Sequence, residues 1–181
     1  QPPIGPQTVA VEENRDKAQA VLMVGFRGAD MYSTDRYALE LIDEASSDLG
    51  SRFFVRIREQ MGLAYYVGAS QMQGLVSGLF AFYLGTDPQK VAQVKAALLD
   101  EIDQLARNGL TSEELVRAKK KLIGQQRISN QSNDSFGYMA RFTGITALAL
   151  HISREPDREV SQVTSEEVGG VPPNYFQQLT I

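Results

Sequence analysis

The run over residues 75–84 is apolar on both of the faces a strand would present. Val76, Gly78, Phe80, Phe82 and Leu84 point one way, and Leu75, Leu79, Ala81 and Tyr83 the other. That pattern suits a strand inside a sheet, with layers over it, rather than one at an edge facing water. Residues 63–71, joined to it around Met72-Gln73-Gly74, supply an antiparallel neighbour in a hairpin. The apolar stretch 18–26 reads as another inner strand, closed by Gly28. Helices supply the cover. One is predicted from Thr34 or Asp35 to Asp48, with Ala38, Leu41, Ile42, Ala45 and Leu49 on one side. Asp87-Pro88 is an N-cap with proline at the first helical position, and the helix it opens keeps Val91, Val94, Leu98, Ile102 and Leu105 in register until Gly109. Thr111 and Glu114 form a capping box for a helix to about Gln131. A mostly apolar helix is expected over 135–150. Thr164 and Glu167 repeat the box spacing, but Gly169-Gly170 and Pro172-Pro173 are expected to end that helix early. The order predicts an α+β fold, a two-layer sandwich whose mostly antiparallel sheet has helices packed chiefly on one face.

With 181 residues, 43% of them hydrophobic, the chain can bury one core. The expected organisation is a single domain over 15–181. Residues 1–14 precede it as a linker with a short edge strand at 8–12; the opening Gln1-Pro2-Pro3-Ile4-Gly5-Pro6 is what a piece excised from a longer protein would carry. A net charge of −4 argues against a general nucleic-acid footprint, and Lys119-Lys120-Lys121 reads as the solvated face of a helix. There is no cysteine, hence no disulfide and no thiolate metal site, and no apolar run approaches a membrane span of roughly 20 residues.

Chemistry concentrates around Arg58-Glu59-Gln60-Met61-Gly62-Leu63-Ala64-Tyr65-Tyr66-Val67. A helix from about Ser51 carries Phe53, Phe54, Ile57 and Met61 in one stripe, with Arg58 at its edge and Gly62 where a left-handed residue would stop it. Leu63, Tyr65 and Val67 are expected on one face of the following strand, with Tyr66 on the other. A cation at a helix end and a phenol at a strand start then open at one corner. Taken alone, the arginine would answer the helix dipole and the tyrosine would be core with a wet hydroxyl.

The segments Asp35-Arg36-Tyr37-Ala38-Leu39-Glu40-Leu41, Gly50-Ser51-Arg52-Phe53-Phe54 and 57–67 resemble the non-catalytic domain of the pitrilysin-type zinc metallopeptidases, which include insulin-degrading enzyme and the mitochondrial processing peptidases. The likeness covers roughly residues 15–168. In that family an arginine and a tyrosine at this separation form a substrate-binding pair, which the resemblance maps to Arg58 and Tyr65. It implies a metal-free half of a two-domain or two-subunit peptidase, facing a zinc-bearing catalytic half across a peptide. The cofactor, zinc, would lie in that partner. Family habit points to a bacterial periplasm or envelope.

The residues themselves supply no catalytic centre. The family's zinc helix needs His-x-x-Glu-His, and this chain has a single histidine, His151, which cannot provide two imidazole ligands. No Gly-x-Ser-x-Gly elbow, phosphate loop or dinucleotide fingerprint occurs. Site assignments are therefore catalytic none and metal none, with Arg58 and Tyr65 substrate-binding as the resemblance implies. The alternative is a non-proteolytic structural or assembly subunit with the same fold; a small-molecule module ranks last.

Overall fold

The computed structural model describes residues 10–13, 15–129 and 156–176. Among these, three strands form one sheet: β1 (Ala20–Gly28), β2 (Tyr66–Met72) and β3 (Gly78–Thr86), in the order β1-β3-β2 with both pairings antiparallel. β3 thus sits in the middle, where its two-sided apolar pattern belongs. The register sets Val24 opposite Phe82 and Phe82 opposite Ala69, and Leu22 opposite Leu84 and Leu84 opposite Val67. Even residues of β1 and β3 therefore share an inner face with odd residues of β2. Phe26, Phe80 and Phe82 are buried there, and the Phe53 and Phe176 rings close over them with centroids 4.9–5.5 Å away.

The described α-helices are α1 (Arg36–Ser47), α2 (Val91–Asn108), α3 (Ser112–Ser129), α4 (Pro156–Gln162) and α5 (Ser165–Tyr175). α1 packs on β2, α3 and α5, while α2 packs on α5 and β1. The architecture is the expected α+β sandwich. Its caps follow the sequence: Asp87 accepts from the Gln89 N–H at 2.8 Å, and Thr111–Glu114 and Thr164–Glu167 close as reciprocal boxes. Gly109 stops α2 with φ 65°.

Four expectations change. No described helix covers the outer sheet face, so Leu79 is 43% exposed, Met23 54% and Val21 65%: β3 is central by hydrogen bonding but layered on one side only. Val76 lies before the strand and is exposed. α5 runs through Gly169-Gly170 and Pro172-Pro173 to Tyr175. Its Val168, Val171 and the following Phe176 are buried, and the bare Gly169 comes so close to Gly109 that a Cβ on Gly109 would lie 3.2 Å from it. Burial of that stripe outweighs the interior-proline cost of about 3 kcal/mol. The edge strand also fails where it is described, since residues 10–12 have no regular structure. The opening linker, the 135–150 helix and His151 lie outside the described residues.

Candidate functional site: the corner between the π-helix and β2

Ser51 starts the helix that carries Arg58, its Oγ accepting from the Phe54 N–H at 3.1 Å. From Phe54 to Gln60 that helix is a π-helix, wider than an α-helix, which the apolar stripe did not distinguish from α. The Met61 N–H reaches back five residues to the Arg56 carbonyl at 3.0 Å, and the Leu63 N–H six residues to Ile57 at 2.9 Å. Gly62 then reverses the chain with φ 60°, the left-handed conformation its position suggested.

Arg58 is exposed, and its guanidinium carbon stands 4.7 Å over the Phe54 ring. This contact steadies the side chain without neutralising it. Arg52 pairs with Glu114, Arg56 with Asp100 and Glu101, Arg107 with Asp103, and Arg117 with Asp48. Arg58, in contrast, has no carboxylate within ion-pair distance among the described residues. Tyr65 is 56% exposed at a bend just before β2. Leu63 and Val67 are buried as their alternation required, but the bend carries Tyr65 out between them. Its N–H donates to the Gly85 carbonyl at 2.8 Å, while its hydroxyl has no partner among the described residues. Tyr66 has a different task. Its ring covers Gly85, where a Cβ would meet it at 2.4 Å, and lies 6.3 Å from Tyr83 on the outer sheet face.

The segment between Arg58 and Tyr65 is fastened from one side. The Thr86 hydroxyl donates to the Leu63 carbonyl at 2.5 Å, and the Lys90 ammonium donates to the Gly62 carbonyl at 3.1 Å. Lys90, in the 3-10 turn Pro88–Lys90, escaped the sequence reading. The Asp87-Pro88 start located its turn, but nothing local tied that turn to Gly62. The turn has a cation, Arg58, before it and a phenol, Tyr65, after it, and a second cation, Lys90, braces it; donors of these kinds suit an anion or a carbonyl oxygen and not a divalent metal. No group of three or more His, Cys, Asp or Glu suited to a metal occurs among the described residues.

The profile described as "Peptidase M16 inactive domain" matches residues 1–122. The chain belongs to that family. The M16 inactive domain is 28% identical over 175 residues to the uncharacterized zinc protease YmxG of Bacillus subtilis, covering 94% of this chain and 42% of that protein. It is 33% identical over 162 residues to an uncharacterized zinc protease of Mycobacterium bovis, covering 87% of this chain and 36% of the relative. The chain thus spans less than half the length of these relatives. A solved peptidase M16 inactive domain from Pseudomonas fluorescens shares the fold with TM-score 0.80 at 22% identity, over 96% of this chain and 41% of that one. A protease from Helicobacter pylori does so with TM-score 0.83 at 15% identity, over 96% and 42%. As an M16 inactive domain, the chain matches the metallopeptidase resemblance carried by residues 35–67.

Proposed function

We propose that this domain is the metal-free, substrate-binding half of a zinc metallopeptidase, and that Arg58 and Tyr65 contribute to peptide binding and oxyanion stabilisation at a partner domain's zinc. The observation that carries the reading is the pair itself: a guanidinium and a phenol, both exposed and neither paired among the described residues, on either side of a turn fixed by Thr86 and Lys90. In a site with less water than bulk, such donors act on charge that develops at a scissile carbonyl. The zinc and its activated water would come from the catalytic half. The open apolar sheet face around Val21, Met23 and Leu79 supports a second half as partner, because a surface of this kind is usually covered.

The test reconstitutes the chain with its zinc-bearing half and follows cleavage of an unstructured peptide. Charge-assisted hydrogen bonds are worth roughly 1.5–3 kcal/mol, so Arg58→Ala and Tyr65→Phe should each lower turnover about tenfold to a hundredfold. Both side chains are exposed, so the urea midpoint should stay near the parent's. Full activity in both variants removes the assigned role. A protein whose remaining portion carries no His-x-x-Glu-His would instead be the assembly subunit.

A further inference from the structure

We infer that Phe54 is the positioning residue for Arg58: the face of its ring holds the guanidinium by cation–π attraction, so that the cation is in place and still charged before a peptide arrives. The inference rests on the peptide-binding reading of Arg58 and Tyr65 and names the residue that orients one of them.

The two adjacent phenylalanines of this helix have different tasks. Phe53 is 1% exposed, and its ring stacks on Phe82 with centroids 5.0 Å apart, inside the core. Phe54 is 9% exposed and makes no ring–ring contact among the described residues. What lies over its ring is the Arg58 guanidinium carbon, 4.7 Å from the centroid. An aliphatic side chain would fill the space beneath as well. The aromatic ring adds a negative face, which attracts a cation. Arg58 has no ion pair and no side-chain hydrogen bond among the described residues, so this ring is the contact that limits where its head goes. Arg36 gives the contrast. Its guanidinium carbon stands 4.4 Å over Tyr37, but it also donates to the Met31 carbonyl and the Tyr37 hydroxyl, and those hydrogen bonds fix it as well.

The ring is itself a fixed seat. The Phe54 N–H donates to the Oγ of the fully buried Ser51 at 3.1 Å. Arg52 ties the start of the helix to the Glu114 carboxylate at 2.9 Å and to the Gly109 carbonyl at 3.0 Å, and Arg56 ties its middle to Asp100 and Glu101. The flexible part that remains is the Arg58 stem, whose rotamer freedom a ligand would otherwise have to restrict. A carboxylate in place of the ring would restrict it too. It would also cancel the charge and occupy N–H donors that a peptide oxygen needs. The ring leaves the cation charged.

The experiment uses the chain reconstituted with its zinc-bearing half and an unstructured peptide, with kcat/KM as the readout. The phenylalanine at position 54 is replaced by analogues with one, two or three ring fluorines, which draw charge off the ring face and change its volume little. Each replacement is made in the parent and in Arg58→Ala. In the parent, kcat/KM should fall in steps with fluorine number, to about a half to a fifth of the starting value with the trifluoro ring and with Phe54→Leu. In Arg58→Ala the same replacements should cause no further fall. Phe54→Leu also loses packing and lowers the urea midpoint, so the fluorinated series, which keeps the shape, decides. A flat series in the parent overturns the inference. So does an equal decline in both backgrounds, which would make Phe54 a packing residue only. Arg58→Ala separates the two levels. If it cleaves like the parent, the peptide-binding reading fails and the inference with it; if it is impaired while the fluorinated series stays flat, only the role of Phe54 fails.

Discussion

Glu101 is 3% exposed and would be an expensive buried anion without Arg56. Arg56 reaches across from the π-helix, donating to Glu101 and, at 2.7 Å, to Asp100. These bonds raise the guanidinium above its ordinary range and hold the Asp100 carboxyl below its own. Arg56→Met should therefore destabilise the chain by about 2 kcal/mol, less than a fully buried pair would cost because Arg56 is 37% exposed. Arg56→Met combined with Glu101→Met should recover most of that loss in urea denaturation. Equal losses in the single and double variants would show that Glu101 does not depend on the arginine. The sequence marked Arg58 by its spacing to Tyr65 but gave no sign that Arg56, two residues before it, would pair across to α2. The π-helix turns one toward α2 and leaves the other over Phe54 at the open corner.

α1 does more than cover the sheet: it closes the outer edge of β2. Ser47 accepts from the Ala69 N–H at 2.9 Å and donates to the Ala69 carbonyl at 3.1 Å, and Asp43 accepts from the Gln71 N–H at 3.1 Å. These side chains replace a further strand and protect the edge from non-native pairing. Burial raises the Asp43 carboxyl, with the like charge of Glu44 adding to the effect while the Gln71 N–H, the Ser47 hydroxyl and Lys121 oppose it; burial also raises Glu40. A carboxyl raised by folding is protonated more readily in the folded chain than in the unfolded one. Its contribution is present in full below the unfolded value of 3.8 and declines as pH rises through the folded pKa. The amide introduced by Asp43→Asn has no such proton to lose. Measured by urea titration from about pH 4 to about pH 7, the stability of Asp43→Asn relative to the parent should rise with pH. A difference that stays flat or falls would contradict a raised Asp43. Ser47 and Asp43 lay four residues apart in a predicted helix, but the strand edge they serve is 22 and 28 residues further on.

For the molecule as a whole, the uneven layering matters most. One sheet face is packed by helices around Phe26, Phe53, Phe80 and Phe82, and the other leaves Val21, Met23, Leu79 and the Tyr66–Tyr83 pair open. If a zinc-bearing half covers that face, Met23→Lys with Leu79→Lys should leave the chain's own stability within about 0.5 kcal/mol, since both sites are already exposed. The same variant should fail to assemble with the partner half in size-exclusion chromatography with light scattering. Normal assembly would place the contact elsewhere.

Local chemistry was enough for much of this fold. Periodicity, capping boxes and the two turn glycines, Gly62 and Gly109, report backbone preferences set by a residue and its near neighbours, and they located β1, β2, β3, α1, α2 and the start of α3. The same signals put Arg58 at a helix end and Tyr65 at a strand start. Tertiary packing decided what depends on distant partners. It drew α5 through two prolines by burying Val168 and Val171. It left one face of an apolar sheet bare, and it brought Lys90 to Gly62 from 28 residues away. Those outcomes come from buried area and from hydrogen bonds between segments far apart in the chain, which no short window of residues contains.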